Sequence, residues 1–175
     1  SIKRITFDAL NRVDISVGFV GEGGGDGSLS ANAEPVPADL ADELEAQFEG
    51  DPDFENFMPM LTLPVPAINP EARLSEPAAT LTGIDVEEVD SIGGIQRPNG
   101  GSIDLSGLGP DQAILSETLA RDLEASEGDT IRIVINNEPH DIEVYAIGQD
   151  SILTGVAFGT QSGPSNYGMA MHLDR

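Results

Sequence analysis

The 175-residue sequence has no cysteine, no tryptophan and a single lysine, Lys3. No apolar run approaches the roughly 20 residues of a membrane span. Without cysteine, disulfides, thiolate catalysis and Cys-based zinc sites are excluded, and the chain carries no mark of its redox compartment. Aromatics make up 5% of the residues against 39% hydrophobic, so the core is aliphatic. Cations are scarce: Lys and Arg number 8 against 31 Asp and Glu, a formal net charge of −23. Phosphate binding needs cationic neutralisation, so no nucleic-acid partner is expected. Most of such a surface also repels anionic lipid headgroups. High ionic strength screens the self-repulsion of an acidic surface. Acid excess with one lysine therefore points to a salt-loving, halophilic source, the alternative being an ordinary solvated acidic surface. The start shows no signal-peptide pattern, and Ser1 in place of an initiator Met reads as an excised or processed fragment whose membrane anchors lie outside.

What the sequence does have is concentrated in residues 113–148, AILSETLARDLEASEGDTIRIVINNEPHDIEVYAIG. Residues 113–115 are a short apolar strand. Ser116 stands where a helix N-cap belongs, with Glu117 just inside it, where the helix dipole favours an acid. Leu119, Ala120 and Leu123 share one face of about two helical turns. Gly128 can take the left-handed conformation that ends or follows a helix, and Asp129 favours a turn. Ile131, Ile133 and Ile135 alternate as in a half-buried strand. Residues 136–139 then read as a turn, with Ile142, Val144 and residues 145–147 as the return strand.

Upstream, residues 2–7 and 14–20 read as strand, and Gly21 to Gly27 as a flexible loop. That loop lacks the GK[ST] ending of a phosphate loop, and its two acids repel phosphate. Residues 37–48 predict an amphipathic helix on Leu40, Leu44 and Phe48, with Pro37 in its first turn and Gly50 after it. Residues 57–65 are apolar but hold Pro59 and Pro64, so this strand is expected at an edge or broken by bends. Residues 66–77 read as a proline-rich connection, 79–84 as a short strand, 91–109 as loop, 152–158 as a strand interrupted at Gly155, and 169–173 as a last strand.

Chemistry-bearing patterns are few. Asp51, Asp53 and Glu55 open like a calcium loop, but Asn56 and Thr62 stand where an EF-hand needs Gly and Glu. Asp85, Glu87, Glu88 and Asp90 read as a solvated acidic run, the alternative being a site that gathers a divalent cation. His140 and His172 are the only histidines, and HExxH is absent. GxSxG is absent too, and neither Asp150-Ser151 nor Ser165 has a local partner pattern. No catalytic residue, metal ligand or cofactor is expected. Gly128 and Asp129 are expected to act as a structural corner fixing the angle between helix and hairpin.

The 113–148 pattern of apolar strand, Ser-Glu, Leu-Ala, Gly-Asp corner and hairpin resembles the extracytoplasmic core of FtsX-like or MacB-like ABC transporter permeases. LTGID at 81–85 resembles the family's Gly-[IV]-Asp step, and GMAMHLD at 168–174 its following apolar strand. The resemblance covers 81–174 and thins over 1–80. It implies an α+β fold with a mixed α/β subdomain, residues 1–82, and a smaller, mostly-β subdomain, residues 83–175. It implies a non-catalytic domain on the extracellular or periplasmic face of the membrane, with ATP hydrolysed by a separate cytoplasmic ATPase subunit. An envelope protein or an exported substrate would be its partner. The family's α/β part continues after its β insertion, whereas this sequence stops at Arg175. Two other readings stand beside it. One is a stand-alone soluble β-rich binding module, since the helix, Gly-Asp and strand sequence also occurs in small cradle-like barrels. The other, ranked last, is a carboxylate- or metal-dependent hydrolase.

Overall fold

The computed structural model describes residues 40–48, 51, 58, 60–155 and 167–172. They form helix α1 (Leu40–Phe48), strands β1 (Met60–Asn69), β2 (Leu74–Ile84) and β3 (Gln112–Ser116), helix α2 (Glu117–Asp122), and strands β4 (Thr130–Ile135), β5 (Glu138–Gly148) and β6 (Gly168–His172). Helices and strands are both present and strands dominate, so the fold is α+β. The six strands close into one barrel in the order β1-β2-β6-β3-β5-β4. The β2/β6 and β3/β5 pairs are parallel, and the other four are antiparallel. The expected division between 82 and 83 falls inside β2, where Leu81, Thr82 and Ile84 are all buried.

The core has two layers. One draws Val65, Ala67, Ala79, Leu81, Leu115, Ile131, Ile133, Val144 and Met169 from all six strands, and is the barrel's interior. The second joins Ile84, Ile114, Ala146 and Ala170 to Val89, Ile95, Ile103, Leu105, Leu108 and Leu153. These last six come from outside the strands, so they cover the outer face of β2, β6, β3 and β5. Strands buried on both faces read as continuous apolar runs. That accounts for AILS in β3 and MAM in β6, while β4 keeps a half-buried alternation. A register shift between Ala113 and Ile114 passes over Tyr145 of β5. It turns Val144 into the barrel and Ala146 outward, so one strand serves both cores.

Prolines shape β1. Along residues 60–65 it pairs only with β2, and β4 joins it at Ala67 and Ile68. Pro64, which has no N–H to donate, therefore meets no second strand, and Pro66 sits at the register shift between Val65 and Ala67. The expectation of an edge or a bend holds. The expected connection over 66–77 does not: β1 runs on to Asn69 and β2 starts at Leu74. Only residues 70–73 turn, with Arg73 at φ 59. Asn69 makes that turn by accepting from the N–H groups of Glu71 (3.0 Å) and Ala72 (3.1 Å).

Two further expectations are corrected. Residues 152–154 form a 3-10 helix (Ile152–Thr154), because Ser151 and Thr154 make a reciprocal capping box. The hairpin turn is also shorter than expected. Asn136 (φ 51) and Asn137 (φ 69) make a two-residue turn, and Pro139 already pairs with Val134. Pro139 is tolerated because β3 does not join β5 before Glu143. Residues 91–109 start with the end of a 3-10 helix (Val89–Ile92), hold one isolated bridge, Gln96 to Ser102, and are otherwise loop. The expected strands at 2–7 and 14–20, the loop from Gly21 to Gly27, the helix start at Pro37, and Asp53, Glu55 and Ser165 lie outside the described residues.

Candidate functional site

The densest polar construction lies at the end of the barrel where β3 and β5 finish and β6 begins. Ser116 closes β3 in extended conformation, and its side chain is fully buried. Its Oγ accepts from two backbone N–H groups, Leu119 in the first turn of α2 and Gly168 at the start of β6, both at 3.2 Å. The helix start is gripped again by Asp150. One carboxylate oxygen accepts from the Thr118 N–H (3.0 Å), the other from the Thr118 hydroxyl (2.6 Å). Thr154, buried beside this pair, donates its hydroxyl to the Gln149 carbonyl at 2.8 Å. The Thr118 and Leu119 N–H groups, which an exposed helix start would offer to an anion, are thus committed within the protein. Leu119, Ala120 and Leu123 turn inward and join the interior core. Burying the two leucines contributes on the order of 1.5–3 kcal/mol each.

The far end of α2 is tied to β1, where Asn69 Nδ2 donates to the Leu123 carbonyl at 2.9 Å, also buried. α2 therefore spans the mouth of the barrel from β3 and β6 to β1. Glu124, at φ 50, supplies the left-handed residue that ends it, with Ala125 N–H bonded to the Ala120 carbonyl (2.8 Å) and Glu124 N–H to that of Arg121 (3.1 Å). Gly128 is left-handed as well, at φ 91, but follows the helix instead of ending it. Its N–H donates to the Val144 carbonyl (2.8 Å), and the Val144 N–H donates back to the Asp129 carbonyl (2.9 Å). The Asp129 carboxylate accepts from the Ser126 N–H at 2.7 Å. Gly128 and Asp129 thus bind the turn before β4 onto β5.

The remaining candidates are dispersed. His140 lies on β5 and His172 on β6, with β3 between those strands. Asp85 accepts from the Glu87 N–H at 3.1 Å, a local turn. Among the described residues no three His, Asp or Glu side chains are grouped to hold a metal ion. An open groove of about 460 Å³ on the outer wall is lined by Gly109, Pro110, Asp111, Gln112, Thr130, Asp141, Ile142 and Glu143. Its Asp141 is engaged in a two-pronged pair with Arg132 across the hairpin, at 2.7 and 2.9 Å. That pairing lowers the Asp141 pKa and raises that of Arg132. The hydrogen bond from Arg97 likewise lowers the Glu127 pKa, opposed in part by desolvation, and the Ser106 hydroxyl and N–H lower that of Asp104. Tyr167 is raised by its hydrogen bond to Asp122.

Sequence reasoning assigned the Ser116 cap but missed its second partner, Gly168, which lies 52 residues away. It also missed Asp150 and Asn69. Only local signals pointed to them: the Ser-x-x-Thr spacing after Asp150, and an Asn directly before Pro70.

Among known proteins, no family model matches the chain and no curated protein matches it. One solved structure similar to it is the periplasmic region of MacB from Actinobacillus actinomycetemcomitans, at 16% identity and a TM-score of 0.38. The likeness covers 74% of this chain and 60% of that one, so the chain spans less than two thirds of that region. Among the described residues, no helix is long and apolar enough to cross a membrane.

Proposed function

We propose that this chain is the extracytoplasmic domain of an ABC transporter permease. It carries no catalytic step. It relays motion produced by a separate cytoplasmic ATPase subunit, or engages an exported substrate or envelope protein outside the membrane. The observation that carries the reading is the 113–148 segment. Its sequence resembles the outer core of such permeases, and it folds as one strand, helix and hairpin unit tied to β6 through Ser116 and to β1 through Leu123. Within it, α2 is hydrogen-bonded to β1, to β6 through Ser116, and to the segment after β5 through Asp150. In this reading β1 to β6 are the mostly-β part.

Sequencing the gene on either side tests this. Apolar runs of about 20 residues flanking the domain are expected. An open reading frame that starts and stops close to this chain, with no such run, overturns it. One observation favours the second reading, a stand-alone β-rich binding module: the described strands close on themselves with no separate α/β layer among the described residues. The same gene sequence separates the two.

A further inference from the structure

The loop between Gln96 and Ser102 ends in a tip that the fold leaves bare. Gln96 and Ser102 form an isolated antiparallel bridge, and the Arg97 N–H donates to the Gly101 carbonyl at 2.8 Å. Beyond them Asn99, Gly100 and Gly101 are exposed. Gly100 (φ 86) and Gly101 (φ 91) are both left-handed, and no atom lies within 4 Å of where a Cβ would sit on either. Asn99 and Gly100 are both exposed to water, and no side chain on Gly100 obstructs its nitrogen.

We infer that Asn99 is a modification site, converted by spontaneous deamidation through its own backbone. The Gly100 nitrogen loses its proton to hydroxide and attacks Asn99 Cγ. A carbon–nitrogen bond forms, the Cγ–Nδ2 bond breaks, and the nitrogen takes a proton from water and leaves as ammonia, regenerating hydroxide. Water then opens the five-membered imide at either carbonyl, giving an aspartyl or an isoaspartyl linkage at position 99. Both products carry one new carboxylate, and the second also lengthens the backbone by a methylene. The other described asparagines lack this geometry. Asn69 is buried, donates Nδ2 to Leu123, and precedes Pro70, whose nitrogen has no proton to lose. Asn136 and Asn137 are exposed, but the nitrogen that follows each belongs to a residue with a Cβ.

The change falls two residues from Arg97, whose guanidinium holds Glu127 while Glu127 also accepts from the Ile147 N–H at 3.3 Å. One exposed hydrogen bond restrains it, from the Gly100 N–H to the Arg97 carbonyl at 3.0 Å.

The full chain is incubated in mildly alkaline buffer and mapped by mass spectrometry beside a synthetic peptide of residues 95–103. The expected result is a gain of about one dalton at Asn99, as both linkages. Its rate lies within about tenfold of the free peptide, because only one exposed hydrogen bond must open. Anion exchange separates the more negative product, and Asn99→Gln abolishes that species. Conversion slower than this limit, or conversion at Asn136 or Asn137 ahead of Asn99, overturns the inference.

Discussion

Replacing Ser116 by alanine removes one hydroxyl that serves two distant backbone groups. Its Oγ accepts from Leu119, which starts α2, and from Gly168, which starts β6. The side chain is fully buried, so water cannot take its place. Loss of the helix cap costs about 1 kcal/mol. The orphaned Gly168 N–H costs a further 1–3 kcal/mol, roughly. The total of about 2–4 kcal/mol is a large share of the roughly 5–15 kcal/mol that holds a domain folded. At about 2–4 °C per kcal/mol for a chain of this length, the melting temperature falls by roughly 4–16 °C. Thr118→Ala is the comparator. It loses the 2.6 Å hydroxyl contact to Asp150 but keeps its N–H bond to the same carboxylate, so it costs about 1 kcal/mol. Urea unfolding followed by circular dichroism gives the energies, and hydrogen exchange reads the two amides. In Ser116→Ala the Leu119 and Gly168 amides lose protection together. A cost under about 1 kcal/mol, or undiminished protection at Gly168, refutes the reasoning.

Three other outcomes are expected. Gly168→Ala would place a Cβ 2.2 Å from the Thr154 carbonyl oxygen and 2.6 Å from Gly155 Cα, both backbone atoms, whereas Gly128→Ala meets nothing within 4 Å and strains only its φ of 91°. Thermal melts should show a cost of about 3 kcal/mol or more for the first and about 1–2 kcal/mol for the second; equal costs contradict the close approach. Glu127 has a lowered pKa in the folded state, so its contribution is present above the ordinary Glu value of about 4.3 and is lost as pH falls through the lower folded value. Glu127→Gln should therefore cost about 0.2–1 kcal/mol near neutrality. In urea titrations at several pH values that gap closes on acidification, and a gap that widens in acid is the wrong sign. Finally, raising salt from about 0.15 to about 1 M shortens the Debye length from about 8 to about 3 Å. With a net charge of −23 the melting temperature should rise, and a fall would argue against self-repulsion as a destabilising force here.

The unit at 113–148 was legible because each of its signals acts over a few residues. Ser116 caps a helix three residues away, the isoleucines of β4 alternate within one strand, and Asn136-Asn137 turns on its own backbone preference. What escaped was set by partners distant in the chain. The parallel β2/β6 and β3/β5 pairs leave no local trace beyond apolar runs, and such runs do not name their neighbours. Pro64 and Pro66 argued against a long β1, yet β1 tolerates them because one side of its first half meets no strand and a register shift absorbs Pro66. Glu124 takes the left-handed place that a glycine would normally claim, so no glycine marks the end of the helix, and Gly128 follows it. Residues 152–154 were read as strand from their apolar character, and the Ser151–Thr154 capping box overrode it. At the candidate site the same rule applies. The Ser116 cap could be read, while Gly168, Asp150 and Asn69 could not, because sequence spacing holds no information about which hydroxyl or carboxylate a fold brings to a given amide.

The proposed placement of this domain outside the membrane is best tested in intact cells carrying the full gene product. Protease added outside should remove the barrel, detected with an antibody against it, while a cytoplasmic marker survives and the remainder of the protein sediments with membranes. A barrel that resists external protease and stays with the soluble cytoplasmic fraction would contradict the permease account.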